Sequence, residues 1–181
     1  MLFNSFEFVF FFIFVFFAYW SLASRGSKLC NVFLVFASYF FYGWWDYRFL
    51  SLIIISSTCD YTVGRLIFSS NSPRNKKVFL IASVSINLFI LGVFKYFNFF
   101  ADSLVVVMSS FGIEPSFVTM NIVLPAGISF YTFQTMTYSI DIYRGRMRPT
   151  KDIIAFFAYV AFFPQLVAGP IERANRFLPQ F

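Results

Sequence analysis

The sequence predicts an all-α bundle threaded through a lipid bilayer, with about six spans plus one re-entrant or interfacial helix. Three observations predict it. Of 181 residues, 59% are hydrophobic and 31 are phenylalanine, while only 12% are charged, about half the share of a soluble domain; the mean hydropathy is +0.73. The apolar residues run in long blocks rather than at amphipathic spacing. The positive charges lie in short loops between those blocks: Arg25 with Lys28, Arg74 with Lys76 and Lys77, and Arg144, Arg146 and Arg148 with Lys151. Nucleic acid would want one continuous basic face, so it is excluded as a partner. Basic loops strung between apolar spans instead mark the cytoplasmic side and meet anionic headgroups.

The first block, 6–23, carries Glu7 and no preceding Lys or Arg, so it reads as a span rather than a cleavable signal. Arg25 and Lys28 follow it, which places its N-terminus outside. The second block, 29–45, ends in Tyr42, Trp44 and Trp45, rings suited to a membrane–water interface. A tight turn at Asp46, Tyr47 and Arg48 leads into a third block, 49–68. A polar loop, 69–77, interrupted by Pro73, precedes a fourth, 78–97. Residues 103–111 are apolar but too few to span, and Gly112, Glu114 and Pro115 close them, which suggests the re-entrant or interfacial helix. The fifth block, 121–140, is broken near its start by Pro125 and Gly127; the sixth, 153–171, is interrupted by Pro164 and by Gly169 with Pro170.

Polar residues inside these blocks need a reason. Asp60 sits mid-span, where an ionised side chain costs about 2.5–3.5 kcal/mol. It is either a site or relay carboxylate or half of a buried structural ion pair, the commoner arrangement. Arg65, five residues on, points elsewhere on a helix, so its partner is expected on another helix. Tyr131, Gln134, Tyr138 and Asp141 are spaced by three, four and three residues and fall on one helical stripe. Such a stripe lines either a water-filled cavity or a tight polar helix contact. The sequence has no histidine, the commonest general base and metal ligand. No catalytic and no metal-binding residue is therefore assigned. Ser129 lies in G-I-S-F rather than a nucleophile elbow, and Cys30 and Cys59 pack as small hydrophobes.

The run PAGISFYTFQTMTYSIDIYRG (125–145), followed by FFPQLVAGPIER (162–173), resembles the membrane-bound O-acyltransferase family. It is most similar to the bacterial branch with alginate O-acetyltransferase and the D-alanyl transferase of teichoic acids. MLFNSFEFVFFF, SYFFYGWWD and KYFNFF extend the likeness over the whole chain. The resemblance implies a partial fold, with residues 1–181 forming the N-terminal part of a single domain. The catalytic C-terminal part, with its histidine, would lie beyond it. The implied activity is acetyl transfer to hydroxyls of an exported polysaccharide such as alginate. Nothing is held as a cofactor; the donor is a thioester co-substrate, acetyl-CoA or an acyl carrier. Membrane lipid, the polysaccharide and periplasmic acetyl-transfer proteins are the implied partners of a multi-pass inner-membrane protein with a periplasmic N-terminus. By the same resemblance Tyr131, Gln134, Tyr138, Asp141 and Arg144 line or brace a substrate funnel, and Pro164, Gln165, Gly169, Pro170 and Arg173 shape its wall. The piece alone is expected to be inactive. A partial ring would also leave the stripe of Tyr131 to Asp141 facing lipid or water unless something covers it. The alternative is a non-catalytic membrane subunit or transporter component packing against a partner.

Overall fold

The structure, a computed structural model, describes residues 4–112, 125, 127–170 and 172–181, and those residues form helices and turns without a strand. The helices are α1 (Phe6–Ala23), α2 (Ser27–Asp46), α3 (Arg48–Ser69), α4 (Pro73–Ser110), α5 (Ile128–Tyr143), α6 (Ile153–Ala161), α7 (Phe163–Ala168) and α8 (Ala174–Phe177), followed by a 3-10 turn, Leu178–Gln180. Among the described residues, α1, α3 and α4 are long and apolar enough to cross a membrane. Helix α2, with 20 residues, is close in length to α1 and α3, while α5 has 16 residues and α6 only 9.

The helix ends follow local chemistry. Ser5 accepts a hydrogen bond from the Phe8 amide and starts α1; Asp152 accepts from the Ile154 and Ala155 amides and starts α6. Pro73 does not break the chain, as the sequence reading had it, but opens α4: its missing N–H is harmless in the first turn, and its fixed φ suits a helix start. The basic residues Arg74, Lys76 and Lys77 therefore stand on the first turn of α4 rather than in a loop.

Two further expectations are corrected. Residues 103–110 form no separate re-entrant or interfacial helix; they are the end of α4, continuous over 38 residues. At 1.5 Å per residue that is about 57 Å, nearly twice the roughly 30 Å hydrocarbon core. No residue of α4 beyond Leu91 is buried, and Phe99, Phe100, Val106 and Phe111 stand exposed. Glu114 and Pro115, and the start of the fifth block at 121–124, lie outside the described residues. Tyr42, expected at the interface, turns inward and is buried, whereas Trp44 is exposed.

Helix directions follow from contacts. On α3 and α4, Ser56 meets Asn87 and Asp60 meets Ser83, so the two run antiparallel. On α3 and α5, Asp60 meets Ser139 while Gly64 faces Tyr138 and Ile142, so these run parallel. Val32 and Phe36 share a groove with Ile153 and Phe157, so α2 and α6 also run parallel. Consequently the C-termini of α1, α3 and α5 and the N-termini of α2, α4 and α6 share one end of the bundle. All three basic clusters lie there, and the Tyr61 hydroxyl ties the end together by donating to the Lys151 carbonyl at 3.0 Å.

Pro164 interrupts the last apolar block: without an N–H, and with its ring set against the carbonyl four residues back, it stops α6 at Ala161. Phe162 takes ψ 101°, and α7 restarts from Phe163. The chain then folds back, with Phe177 and Phe181 packing edge-on against Phe162, and the Asn31 amide donating to the Phe181 carbonyl.

Helices α3 and α5 meet closely at Gly64. A Cβ there would lie 2.7 Å from Tyr138 Cε1 and 2.9 Å from Ile142 Cδ1. Gly64→Val is expected to force α3 and α5 apart and lower stability by about 1–3 kcal/mol. Unfolding in detergent micelles by a denaturing-surfactant titration reads this; an unchanged midpoint would show the two helices are not in this contact.

Candidate functional site

Helix α5 carries the polar stripe, and the fold answers what the stripe faces. Tyr131, Gln134, Tyr138 and Asp141 are all buried. Gln134 Nε2 donates to the Tyr159 carbonyl at 2.9 Å, and the Tyr159 hydroxyl donates back to the Gln134 carbonyl at 3.5 Å. The Tyr138 ring packs on Phe156 with centroids 4.7 Å apart. Asp141 pairs with Arg146 at 3.8 Å. This is a tight polar helix contact. The stripe, expected to face lipid or water unless something covers it, is covered: Phe156 and Tyr159 of α6 lie against it, and Gly64 of α3 meets Tyr138.

One step around α5, a second polar set fills the space between α3, α4 and α5. Asp60 Oδ1 accepts from the Ser83 hydroxyl at 2.5 Å and from Ser139 at 3.5 Å; Oδ2 accepts from Asn87 Nδ2 at 2.8 Å. Asn87 Oδ1 accepts in turn from Ser56 at 3.0 Å and Thr135 at 3.3 Å. All six residues are at most 2% exposed. Asp60 does find its partners on other helices, but they are hydroxyls and an amide. Among the described residues no cation pairs with it, so the expected ion pair is corrected to a hydrogen-bonded network. Arg65 lies over the Tyr61 ring and donates to its hydroxyl at 3.3 Å.

Sequence reasoning missed Ser56, Ser83, Asn87, Thr135 and Ser139. A signal was present: Ser56 with Asp60, Ser83 with Asn87, and Thr135 with Ser139 are each spaced by four. Every one of the three helices thus presents two polar side chains a turn apart.

A third polar place lies where α5 begins. Gly127 has φ 74°, a left-handed conformation, and a Cβ there would strike the Tyr42 hydroxyl and come within 2.9 Å of the Leu166 carbonyl. The break between α6 and α7 supplies that carbonyl. Gln165 is buried and donates to the Pro170 carbonyl at 3.1 Å, while Ser38 accepts from the Phe163 amide at 3.4 Å. Among the described residues, the buried Tyr131, Thr132 and Tyr39 hydroxyls and Gln165 Oε1 have no hydrogen-bond partner. Pro164 and Gly169 are half-buried, and Pro170, Arg144 and Arg173 are exposed. Tyr131 and Gln134 are thus buried on α5 and Gln165 on α7, each with its own surroundings, while the two arginines stand at the surface. Such groups can orient a polar ligand by hydrogen bonding; they do not form a nucleophile–base pair.

No family model and no solved structure matches the chain. Curated proteins do. The chain is 42% identical, over its full length, to the probable alginate O-acetylase AlgI of Pseudomonas putida, and spans 37% of that protein. The same identity holds against the protein of that name in Pseudomonas aeruginosa, of which it spans 34%. It is 32% identical to a peptidoglycan O-acetyltransferase of Helicobacter pylori, spanning 38% of it. The chain is thus homologous throughout to a part, little more than a third, of these bacterial O-acetyltransferases.

The Asp60 network generates a test by itself. Asp60→Leu leaves one Asn87 amide hydrogen without an acceptor in a dry interior, where an unsatisfied group costs about 1–3 kcal/mol. Ser83 then keeps only its bond to Ser139 at 3.2 Å, and the other Asn87 amide hydrogen keeps the Ser83 carbonyl. Asp60→Asn keeps acceptor capacity at the same place. The leucine variant is expected to be the less stable of the two by about 1 kcal/mol or more in surfactant titration. Equal stability of both variants would show that the network does not hold the three helices.

Proposed function

We propose that this chain is the N-terminal part of a membrane-bound O-acetyltransferase of the bacterial inner membrane, acting on hydroxyls of an exported polysaccharide of the alginate kind. The observation that carries the reading is the 42% identity, sustained over the full chain, to proteins named as alginate O-acetylases. The lower identity to the peptidoglycan O-acetyltransferase, 32%, makes an alginate-like acceptor the better choice. A thioester, acetyl-CoA or an acyl carrier, supplies the acetyl group, and periplasmic proteins hand it on. The rival, a non-catalytic subunit or transporter component, would leave this likeness to transferases unexplained.

In this reading six apolar segments enter the membrane, and the end with the three basic clusters is cytoplasmic, since short loops rich in Lys and Arg are retained on that side. The N-terminus is then periplasmic. Tyr131, Gln134, Tyr138 and Asp141 brace one wall of the acyl funnel from within the helix contact, and Arg144 and Arg173 stand at its rims. Pro164, Gln165, Gly169 and Pro170 shape the irregular stretch beside it, where interrupted backbone is tolerated because it faces protein or a cavity. The unpartnered Tyr131 hydroxyl and Gln165 Oε1 give that wall spare hydrogen-bonding capacity. The acceptor hydroxyl must lose a proton as it attacks the thioester carbonyl. A chain without histidine leaves that step to a residue outside these 181.

The test is complementation. The full reading frame that contains this sequence, placed in an alginate-producing bacterium lacking its own O-acetylase, is expected to restore acetyl esters on the exported polymer. The purified 181-residue chain is expected to show no acetyl release from acetyl-CoA above the uncatalysed rate. A full frame that leaves the polymer bare, or turnover by the short chain, would each overturn the reading.

A further inference from the structure

We propose that the α1–α2 turn and the outward faces of α2 and α6 form a binding site for one anionic phospholipid. Two adjoining hollows make it. The first, about 660 Å³, is walled by Arg25, Gly26, Ser27, Lys28, Leu29 and Val32. The second, about 350 Å³, is a groove between α2 and α6 walled entirely by apolar side chains, Val32, Val35, Phe36, Ile153, Ile154 and Phe157. Val32 lines both, so the basic hollow and the apolar groove adjoin at that residue.

The occupant follows from the chemistry of the two halves. Phe36 and Ile153 are 72% and 46% exposed, so among the described residues the groove stands open on the outside of the bundle. A hydrocarbon chain laid along it fills what a protein side chain leaves empty. At the upper end the headgroup decides. Arg25 and Lys28 have no carboxylate partner among the described residues. The amides of the first turn of α2 receive no side-chain cap. Both features attract an anion, and a phosphate-bearing anionic headgroup satisfies them together. Asp152 is the carboxylate at this end of α6, and its Oδ1 is already engaged by the Ile154 and Ala155 amides. A zwitterionic headgroup would bring a cationic amine against Arg25 and Lys28, so the site discriminates by charge. The inference does not depend on the acetyl-transfer reading, only on the membrane setting.

Native mass spectrometry of the full-length protein, released from nanodiscs of equal phosphatidylglycerol and phosphatidylethanolamine, tests it. One phosphatidylglycerol is expected to stay bound. The double variant Arg25→Gln with Lys28→Gln is expected to lower its retention about tenfold or more, since each basic group near the surface contributes on the order of 1 kcal/mol. The control Arg74→Gln with Lys76→Gln, basic residues on another helix, is expected to leave retention unchanged. Val35→Trp, which fills the groove without touching the charges, is expected to expel the lipid. Equal retention of both lipids, equal loss in both charge variants, or indifference to Val35→Trp would overturn the site. A dimer lost on Val35→Trp, with no lipid held, would assign the groove to a second copy instead.

Discussion

In a bilayer, apolar side chains gain nothing by leaving lipid for one another, so helices are held by close packing and by polar groups that have nowhere else to go. The network around Asp60 is that constraint here. One carboxylate, one amide and hydroxyls from three helices satisfy each other in a space closed to solvent and lipid. A slip of one turn between α3 and α4 would part Asp60 from Ser83 and Ser56 from Asn87 at once. The pairs spaced by four residues act as a key with two teeth on each helix, which fixes register where apolar contacts would tolerate sliding. Gly64 lets Tyr138 and Ile142 approach closely enough for the key to engage.

With α3, α4 and α5 locked, the second polar stripe of α5 is turned toward α6. Helix α6 is short because Pro164 stops it, and the irregular backbone that follows is an asset to a site. It brings the Leu166 carbonyl to the Gly127 turn and aims the Gln165 side chain at the Pro170 carbonyl. Buried groups with unused hydrogen-bonding capacity include Tyr131 on α5 and Gln165 beside this break, whereas the one buried side chain of α1 is the apolar Val15. The result is a stiff bundle on one side and a polar, non-helical corner on the other.

Helix α4 behaves differently along its length. Its first half is clamped by Ser83, Asn87 and Leu91, and the rest runs on with its phenylalanines bare. The chain spans 37% and 34% of the length of the two Pseudomonas O-acetylases it matches.

Much of this was legible in the residues. The abundance of phenylalanine and the scarcity of charge point to helices in lipid, since an unpaired backbone is intolerable there. The bounds of α1 follow from the block 6–23, and the break in the last block from Pro164, because covalent geometry acts locally. The alternation of basic loops implied a single basic end, and the helix directions bring the three clusters together. The stripe on α5 could be seen, but whether it lined water or helix could not, because spacing on one helix says nothing of what stands opposite. The same holds for Asp60: its cost was evident from sequence, yet its partners lie 23, 27 and 79 residues away. The continuity of α4 past Phe97 was hidden too, since a short apolar stretch reads alike whether it prolongs a helix or starts one. Local chemistry and solvent are written in the order of residues; which polar groups find each other is decided only when the helices pack, because those contacts join positions the chain keeps far apart.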